Sequence, residues 1–215
     1  MQPNDQNRRA WDEIHRSRTR AASDQLLIPK QILELMPDVE GKHVLHLQCA
    51  TGEATGQLVE RGALVTAVDL SAEDIEIARE RAPDVAYYHA DVHELPLELH
   101  RGRFDLVFTG GDVLESIRDL DQWLAGIVTA LKPGGTLLLY DSHPVTAHVD
   151  PLGHWRDNYF EPSDDRTWRL EEVVGAVIAP GLRLTRLAEF QTFYRGAQRD
   201  RRVPWNFALL AEKPA

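Results

Sequence analysis

VLHLQCATGEATGQLVERGALVTAVDLS, residues 44–71, is the stretch that decides the fold of this chain. Val44, Leu45 and Leu47 form a short apolar run, and Cys49-Ala50-Thr51-Gly52 make a turn of small residues. A helical segment from about Glu53 to Arg61 follows, then the apolar run Ala63 to Val68, closed by the carboxylate of Asp69. Strand, tight turn, helix and strand in that order form a parallel βαβ unit, which places a nucleoside-bearing ligand at the carboxyl ends of its strands. Small residues let the backbone approach such a ligand, and an acid about 20 residues on accepts from both ribose hydroxyls. Asp69 stands 22 residues after Leu47, where that geometry requires it.

The turn separates two nucleoside ligands, a dinucleotide and S-adenosylmethionine. A dinucleotide fingerprint needs G-x-G-x-x-G, so that bare amides cradle a pyrophosphate at a helix start. Gln48, Ala50 and Glu53 occupy those places, and Glu53 is expected to repel a phosphate. S-adenosylmethionine carries a sulfonium and an amino-acid tail instead of a phosphate, and an acidic, glycine-poor turn suits it better.

These residues, with three later motifs, resemble a class I S-adenosylmethionine-dependent methyltransferase. The family's first motif usually reads acidic-x-G-x-G-x-G; His46, Gln48, Ala50 and Gly52 stand there, so three of the four positions depart. Asp91 in YYHADVHELP matches the acidic position that faces the adenine amino group, with Val92 beside the purine ring. FDLVFTGGDVLESI resembles the fourth strand, after which Gly110 and Gly111 bring bare backbone to the methionine moiety, and LKPGGTLLLYDSHP resembles the turn into the fifth strand. The likeness covers roughly residues 40 to 145. It implies a doubly wound, mostly parallel seven-stranded sheet with helices on both faces and a C-terminal antiparallel hairpin. It further implies S-adenosylmethionine as cofactor, S-adenosylhomocysteine as product, and a cofactor site made of His46, Gln48, Cys49, Ala50, Gly52, Asp69, Leu70, Asp91, Val92 and Gly110.

Composition narrows the acceptor. The chain has 215 residues, 43% of them apolar and 27% charged, which is ordinary for one soluble α/β domain. A net charge of −10 argues against nucleic acid as a partner, since phosphate backbones demand a basic face. No run is long and apolar enough for a membrane span, and MQPNDQNRRAWDE lacks a signal core. The single cysteine, Cys49, rules out an internal disulfide and fits a cytoplasmic location. A small-molecule methyl acceptor is therefore expected, with the chain a monomer or homodimer.

The organisation expected is an N-terminal helical cap over 1–40, a cofactor-binding core over 41–143, a lid or acceptor-pocket segment over 144–169, and a C-terminal helix and hairpin over 170–215. Strands are expected near 43–48, 63–69, 85–90, 103–109 and 135–142, then two β-rich runs near 182–192 and 203–213. The lid segment lacks periodicity but carries Trp155, Tyr159 and Trp168, so it is read as a pocket wall together with Trp11 and His15 of the N-terminal helix. Asp112 and His143 follow the fourth and fifth strands and supply polar anchors, with Glu115 and Glu161 nearby. His143, whose ordinary pKa lies near neutrality, is the candidate general base. His143, His148 and His154 are spaced by five and six, which fits neither a helix face nor alternate strand positions, so no metal site is expected. The departures in the first motif leave a second function open: a non-catalytic S-adenosylmethionine sensor or partner subunit with the same fold.

Overall fold

The apolar runs become one sheet. The computed structural model describes residues 27–161, 168–193 and 199–215, and among them seven strands succeed one another. They are β1 (His43–Leu47), β2 (Leu64–Asp69), β3 (Ala86–His89), β4 (Phe104–Gly110), β5 (Leu131–Ser142), β6 (Arg183–Phe190) and β7 (Asn206–Glu212). The intervening helices are α1 (Lys30–Leu35), α2 (Glu53–Glu60), α3 (Ala72–Arg81), α4 (Leu120–Ala130) and α5 (Leu170–Ile178). The expected N-terminal helix, with Trp11 and His15, lies outside the described residues.

The sheet order is β3-β2-β1-β4-β5-β7-β6. The first five strands pair in parallel, whereas β7 is antiparallel to both β5 and β6. This is the doubly wound sheet with a C-terminal antiparallel hairpin that the sequence implied. Helices cover both faces, so the central strands are apolar on successive residues instead of alternating with polar ones. Along β1, Val44 joins Ile32, Leu58, Ile75, Leu106 and Phe108 on one face. Its neighbour Leu45 joins Trp123, Ile127, Leu137, Leu139 and Phe207 on the other. Fully buried groups of this size stabilise by roughly 1.5–3 kcal/mol each, which makes these two clusters the main support of the sheet.

The helix starts follow local chemistry. Ser71 accepts from the Asp74 amide at 3.2 Å and begins α3, and Asp119 accepts from the Gln122 amide at 2.9 Å and begins α4. One boundary differs from expectation. β5 begins at Leu131 rather than 135, because Leu131 pairs with Phe104 before a register shift that carries the ladder on to Leu106 and Thr136. The Pro133-Gly134-Gly135 turn is thus taken into the strand. A Cβ at Gly135 would lie 2.9 Å from both the Lys132 and the Phe104 carbonyl oxygens, so only glycine passes there.

The chain runs outward from β1 through β2 to β3, then returns to β4 on the other side of β1. The strand order therefore reverses between β1 and β4. In open α/β sheets the crevice outside the carboxyl ends at that reversal is where ligands bind.

Candidate functional site

The turn after β1 keeps a glycine-like backbone without most of its glycines. Gln48, Ala50 and Gly52 have φ of 56°, 45° and 83°, all left-handed. A non-glycine residue held there costs on the order of 1 kcal/mol, so the surroundings must impose the shape. Three backbone restraints do so. The Cys49 amide donates to the Val68 carbonyl at 3.1 Å, the Gly52 amide to the Cys49 carbonyl at 3.1 Å, and the Ala50 amide to Asp69 Oδ2 at 2.8 Å. Gly52 alone has no substitute, because a Cβ would come within 2.8 Å of Ala78 Cβ.

Asp69 ends β2 and organises this corner. Besides the Ala50 amide on Oδ2, its Oδ1 accepts from the Ser71 amide at 2.9 Å. Leu70 follows, half-buried, its carbonyl 2.9 Å from His89 Nε2.

His46 stands where the family motif has an acid, and it is not an acid's equivalent here. The ring is 2% exposed, packs on Phe108 at 5.1 Å between centroids, and shares a 2.8 Å hydrogen bond between Nδ1 and Thr55 Oγ1. Burial pushes its pKa down to about 3, so it is neutral throughout the physiological range. Cys49 is buried, and burial, with the charges of Asp69 and Asp74, raises its thiol pKa well above the ordinary value, so it supplies no nucleophile. Glu53 does not act as the sequence suggested. Its Oε1 pairs with Arg81 at 2.9 Å and its Oε2 accepts from Thr51 Oγ1 at 2.6 Å. The carboxylate is paired with the far end of α3, so the missing glycines, and not Glu53, disfavour a pyrophosphate.

Across the crevice, Gly110 ends β4. A Cβ there would fall 2.2 Å from the Tyr140 carbonyl oxygen and 2.3 Å from its ring, so β5 alone already requires the glycine. The loop that follows, 111–117, is gripped from two sides. Asp141 Oδ2, at the end of β5, accepts from the Val113 and Leu114 amides at 2.9 Å each, and its Oδ1 from the Ser142 amide at 2.6 Å. From the β1 side, Gln48 Nε2 donates to the Val113 carbonyl at 3.3 Å and to Ser116 Oγ at 2.9 Å, while Gln48 Oε1 accepts from Thr109 Oγ1 at 3.0 Å. Asp112 is exposed, with φ of 64°, and accepts from Ser142 Oγ at 2.5 Å. Burial and then the Asp112 charge push Asp141 up to about 8 against the pull of its three amides, and the same two causes raise Glu115.

Asp91, two residues past β3, accepts from the His93 amide at 2.9 Å and lies 2.8 Å from His93 Nδ1. Val92 beside it is 7% exposed and packs into the α4 side of the core.

The described residues of the 144–169 segment begin where β5 ends and return to the loop after β4. Trp168 Nε1 donates to the Ile117 carbonyl at 2.8 Å, which ties the end of the segment to the loop after β4. The Tyr159 hydroxyl accepts from the Leu170 amide at 3.0 Å, and its ring packs edge-on against His148. Trp155 remains 62% exposed and faces solvent. His143 caps a short 3-10 turn: its Nδ1 accepts from the Val145 amide at 3.1 Å, and its Nε2 lies 3.1 Å from Glu189 Oε1, in ion-pair range but off the hydrogen-bond axis. Burial lowers its pKa while Glu189 opposes the shift. His148 pairs with Asp157 and His154 with Asp150, so the three histidines serve three separate carboxylates.

Thus Gln48, Cys49, Ala50, Gly52 and Asp69 meet in one corner, Asp112 and Gly110 face them across the crevice, and Asp91 stands further out by β3. Trp11, His15 and residues 162–167 lie outside the described residues. Sequence reading missed Thr109, Ser116 and the organising role of Asp141. The one signal was Gln48 itself, a long polar side chain in a glycine position.

Residues 44–135 match the family described as a methyltransferase domain. An uncharacterized methyltransferase of Synechocystis is 33% identical over 117 residues, covering 54% of this chain and 53% of that protein. A ubiquinone biosynthesis O-methyltransferase of Coxiella burnetii is 31% identical over 109 residues, covering 49% of this chain and 45% of the relative. The chain thus spans about half the length of these curated relatives. The crystal structure of an S-adenosylmethionine-dependent methyltransferase from Mesorhizobium loti superposes with a TM-score of 0.70 at 22% identity, covering 85% of this chain and 95% of that one.

Proposed function

We propose that this chain, which has the class I S-adenosylmethionine-dependent methyltransferase fold and carries a methyltransferase domain over residues 44–135, transfers a methyl group from S-adenosylmethionine to a small-molecule acceptor. The observation that carries the reading is Asp69: a carboxylate at the end of β2, held by the Ala50 and Ser71 amides and facing a turn whose backbone is left-handed at Gln48, Ala50 and Gly52. Those residues fit an adenosyl ligand, since the carboxylate can take ribose hydroxyls and the turn offers no pyrophosphate cradle. The likeness to a protein named ubiquinone biosynthesis O-methyltransferase favours a small molecule as acceptor.

When bound, S-adenosylmethionine supplies an already electrophilic methyl group. The protein's own task is then to align the acceptor and exclude water. Asp69, Gln48 and Asp91 would hold the cofactor; Asp112, the 111–117 loop and the 143–161 segment would hold the acceptor. Nδ1 of His143 accepts from the Val145 amide, so the neutral ring carries its proton on Nε2, beside Glu189, and positioning rather than proton removal is assigned to it.

The test is calorimetry with S-adenosylhomocysteine. Asp69→Ala should weaken binding by roughly 2–4 kcal/mol through loss of charge-assisted bonds to the ribose. Asp69 also holds the turn, so each titration is run well below the variant's melting midpoint. An unchanged dissociation constant, or binding of NAD in place of S-adenosylhomocysteine, would sink the reading.

A further inference from the structure

We propose that His93 is a positioning residue that ties Asp91, on the cofactor side, to Trp168 through the single peptide group between Ile117 and Arg118. The inference rests on the cofactor assignment above and goes beyond it, because that assignment gives His93 no role.

Four groups stand in line. Trp168 Nε1 donates to the Ile117 carbonyl at 2.8 Å. The amide of the same peptide group, that of Arg118, donates to His93 Nε2 at 3.3 Å. His93 Nδ1 in turn lies 2.8 Å from Asp91 Oδ1, and the His93 backbone amide donates to that oxygen at 2.9 Å. The peptide plane is thus held at both polar ends, on the carbonyl by the indole and on the amide by the imidazole. The His93 and Asp91 side chains are 14% and 17% exposed, which limits how freely water replaces their bonds.

The partners fix the tautomer of the ring. A backbone amide can only donate, so Nε2 accepts and carries no proton. The proton of the neutral ring is then on Nδ1, aimed at the carboxylate. All three donors therefore point the same way, from the indole toward Asp91. Hydrogen bonds aligned in this manner polarise one another, and this series ends on a charge, where such bonds are strongest.

The consequence is coupling between the two halves of the site. Asp141 and Gln48 hold residues 113–116 of the loop assigned to the acceptor, and the His93 relay holds its end. A ligand that fixes Asp91 also fixes the Ile117–Arg118 peptide and, through it, Trp168. By linkage, whatever strengthens the Trp168 bond strengthens cofactor binding by the same factor.

The test is a double-mutant cycle read by calorimetry with S-adenosylhomocysteine. Trp168→Phe keeps an aromatic ring and loses the indole donor, and His93→Leu loses both ring bonds. Trp168→Phe should weaken binding about threefold or more in the wild-type background, and by less than about 1.5-fold beside His93→Leu. Two variants cut the relay at one link each: His93→Asn keeps a donor at the place of Nδ1, and His93→Gln keeps an acceptor at the place of Nε2. Each should abolish the effect of Trp168→Phe as His93→Leu does. The reciprocal reading is hydrogen exchange of the indole N–H groups by NMR. Saturating S-adenosylhomocysteine should slow exchange at Trp168 by a factor matching the cycle. Exchange at Trp205, whose indole donates to the Asp200 carbonyl at 2.8 Å outside the relay, should stay unchanged. Trp168→Phe losses that are the same with and without His93 would reduce the ring to a packing residue and overturn the inference. Equal slowing of both indoles overturns it as well, and that wild-type measurement decides even where a substitution prevents folding. If the wild type does not bind S-adenosylhomocysteine, the cofactor assignment fails first and carries this inference with it.

Discussion

At the scale of single residues, this domain shows that a loop's shape can outlive the residues that usually make it. The turn after β1 is left-handed at 48, 50 and 52 although only Gly52 is glycine. Hydrogen bonds from its own amides to Asp69 and Val68 hold it, so backbone geometry passes from residue type to environment. His46 has a separate consequence for acid stability. The native ring stays neutral down to about pH 3, while the unfolded ring protonates near its ordinary pKa of 6.5. Below that pH the unfolded state binds the extra proton, so stability is intact above pH 6.5 and is lost as pH falls toward 3, by about 1.4 kcal/mol per unit. Asp141, raised to about 8, works in the opposite direction, so the total pH curve is no guide. The difference between wild type and His46→Gln isolates the histidine. From pH 6.5 to 4.5 the wild type should lose about 2–3 kcal/mol more than the variant in denaturant titrations. Parallel curves would show that the ring is not buried neutral.

At the scale of elements, the loop 111–117 is the joint of the site. It hangs from Asp141 on the β5 side, from Gln48 on the β1 side, and from Trp168 just before α5. Buried hydrogen bonds are costly to leave unmade, so Asp141, which accepts from three amides, is the main member of this set. Asp141→Ala removes three acceptor contacts at once, so hydrogen exchange at Val113 and Leu114 should accelerate by at least about tenfold while β1 and β4 remain protected. Unchanged protection at those two amides would transfer the loop's anchoring to Gln48 and Trp168. The same logic explains why the beginning of β5 differed from expectation: a Pro-Gly-Gly triplet reads as a helix stop, and it is one, but pairing of Leu131 with Phe104 extends the sheet beneath it.

At the scale of the whole molecule, the crevice is assembled from four strands and one returning segment, and no single element contains a complete site. That arrangement suits a reaction whose rate comes from alignment. His143, capping a turn with Nδ1 and facing Glu189 with Nε2, belongs to the support of the β5–β7 edge. In any methyl-transfer assay that the wild type supports, His143→Ala should therefore reduce turnover by less than about tenfold and leave S-adenosylhomocysteine affinity intact. A loss of about 100-fold, with a pH profile that changes with the substitution, would instead make the ring a general base. Among the described residues no helix is long and apolar enough to cross a membrane.

The sequence by itself determined the order of elements, the parallel sheet and the place of Asp69, because these follow from local periodicity and from a spacing along one βαβ unit. It also marked Gln48, as a polar residue in a glycine position. Only the tertiary structure decided what that residue touches, that Glu53 is turned to Arg81, and that Asp141 rather than Asp112 holds the loop after β4. The physical reason is separation along the chain: Gln48 meets Ser116 across 68 residues, and Asp141 meets Val113 across 28. Contacts of that range depend on how strands stack side by side, and no periodicity in the sequence records them.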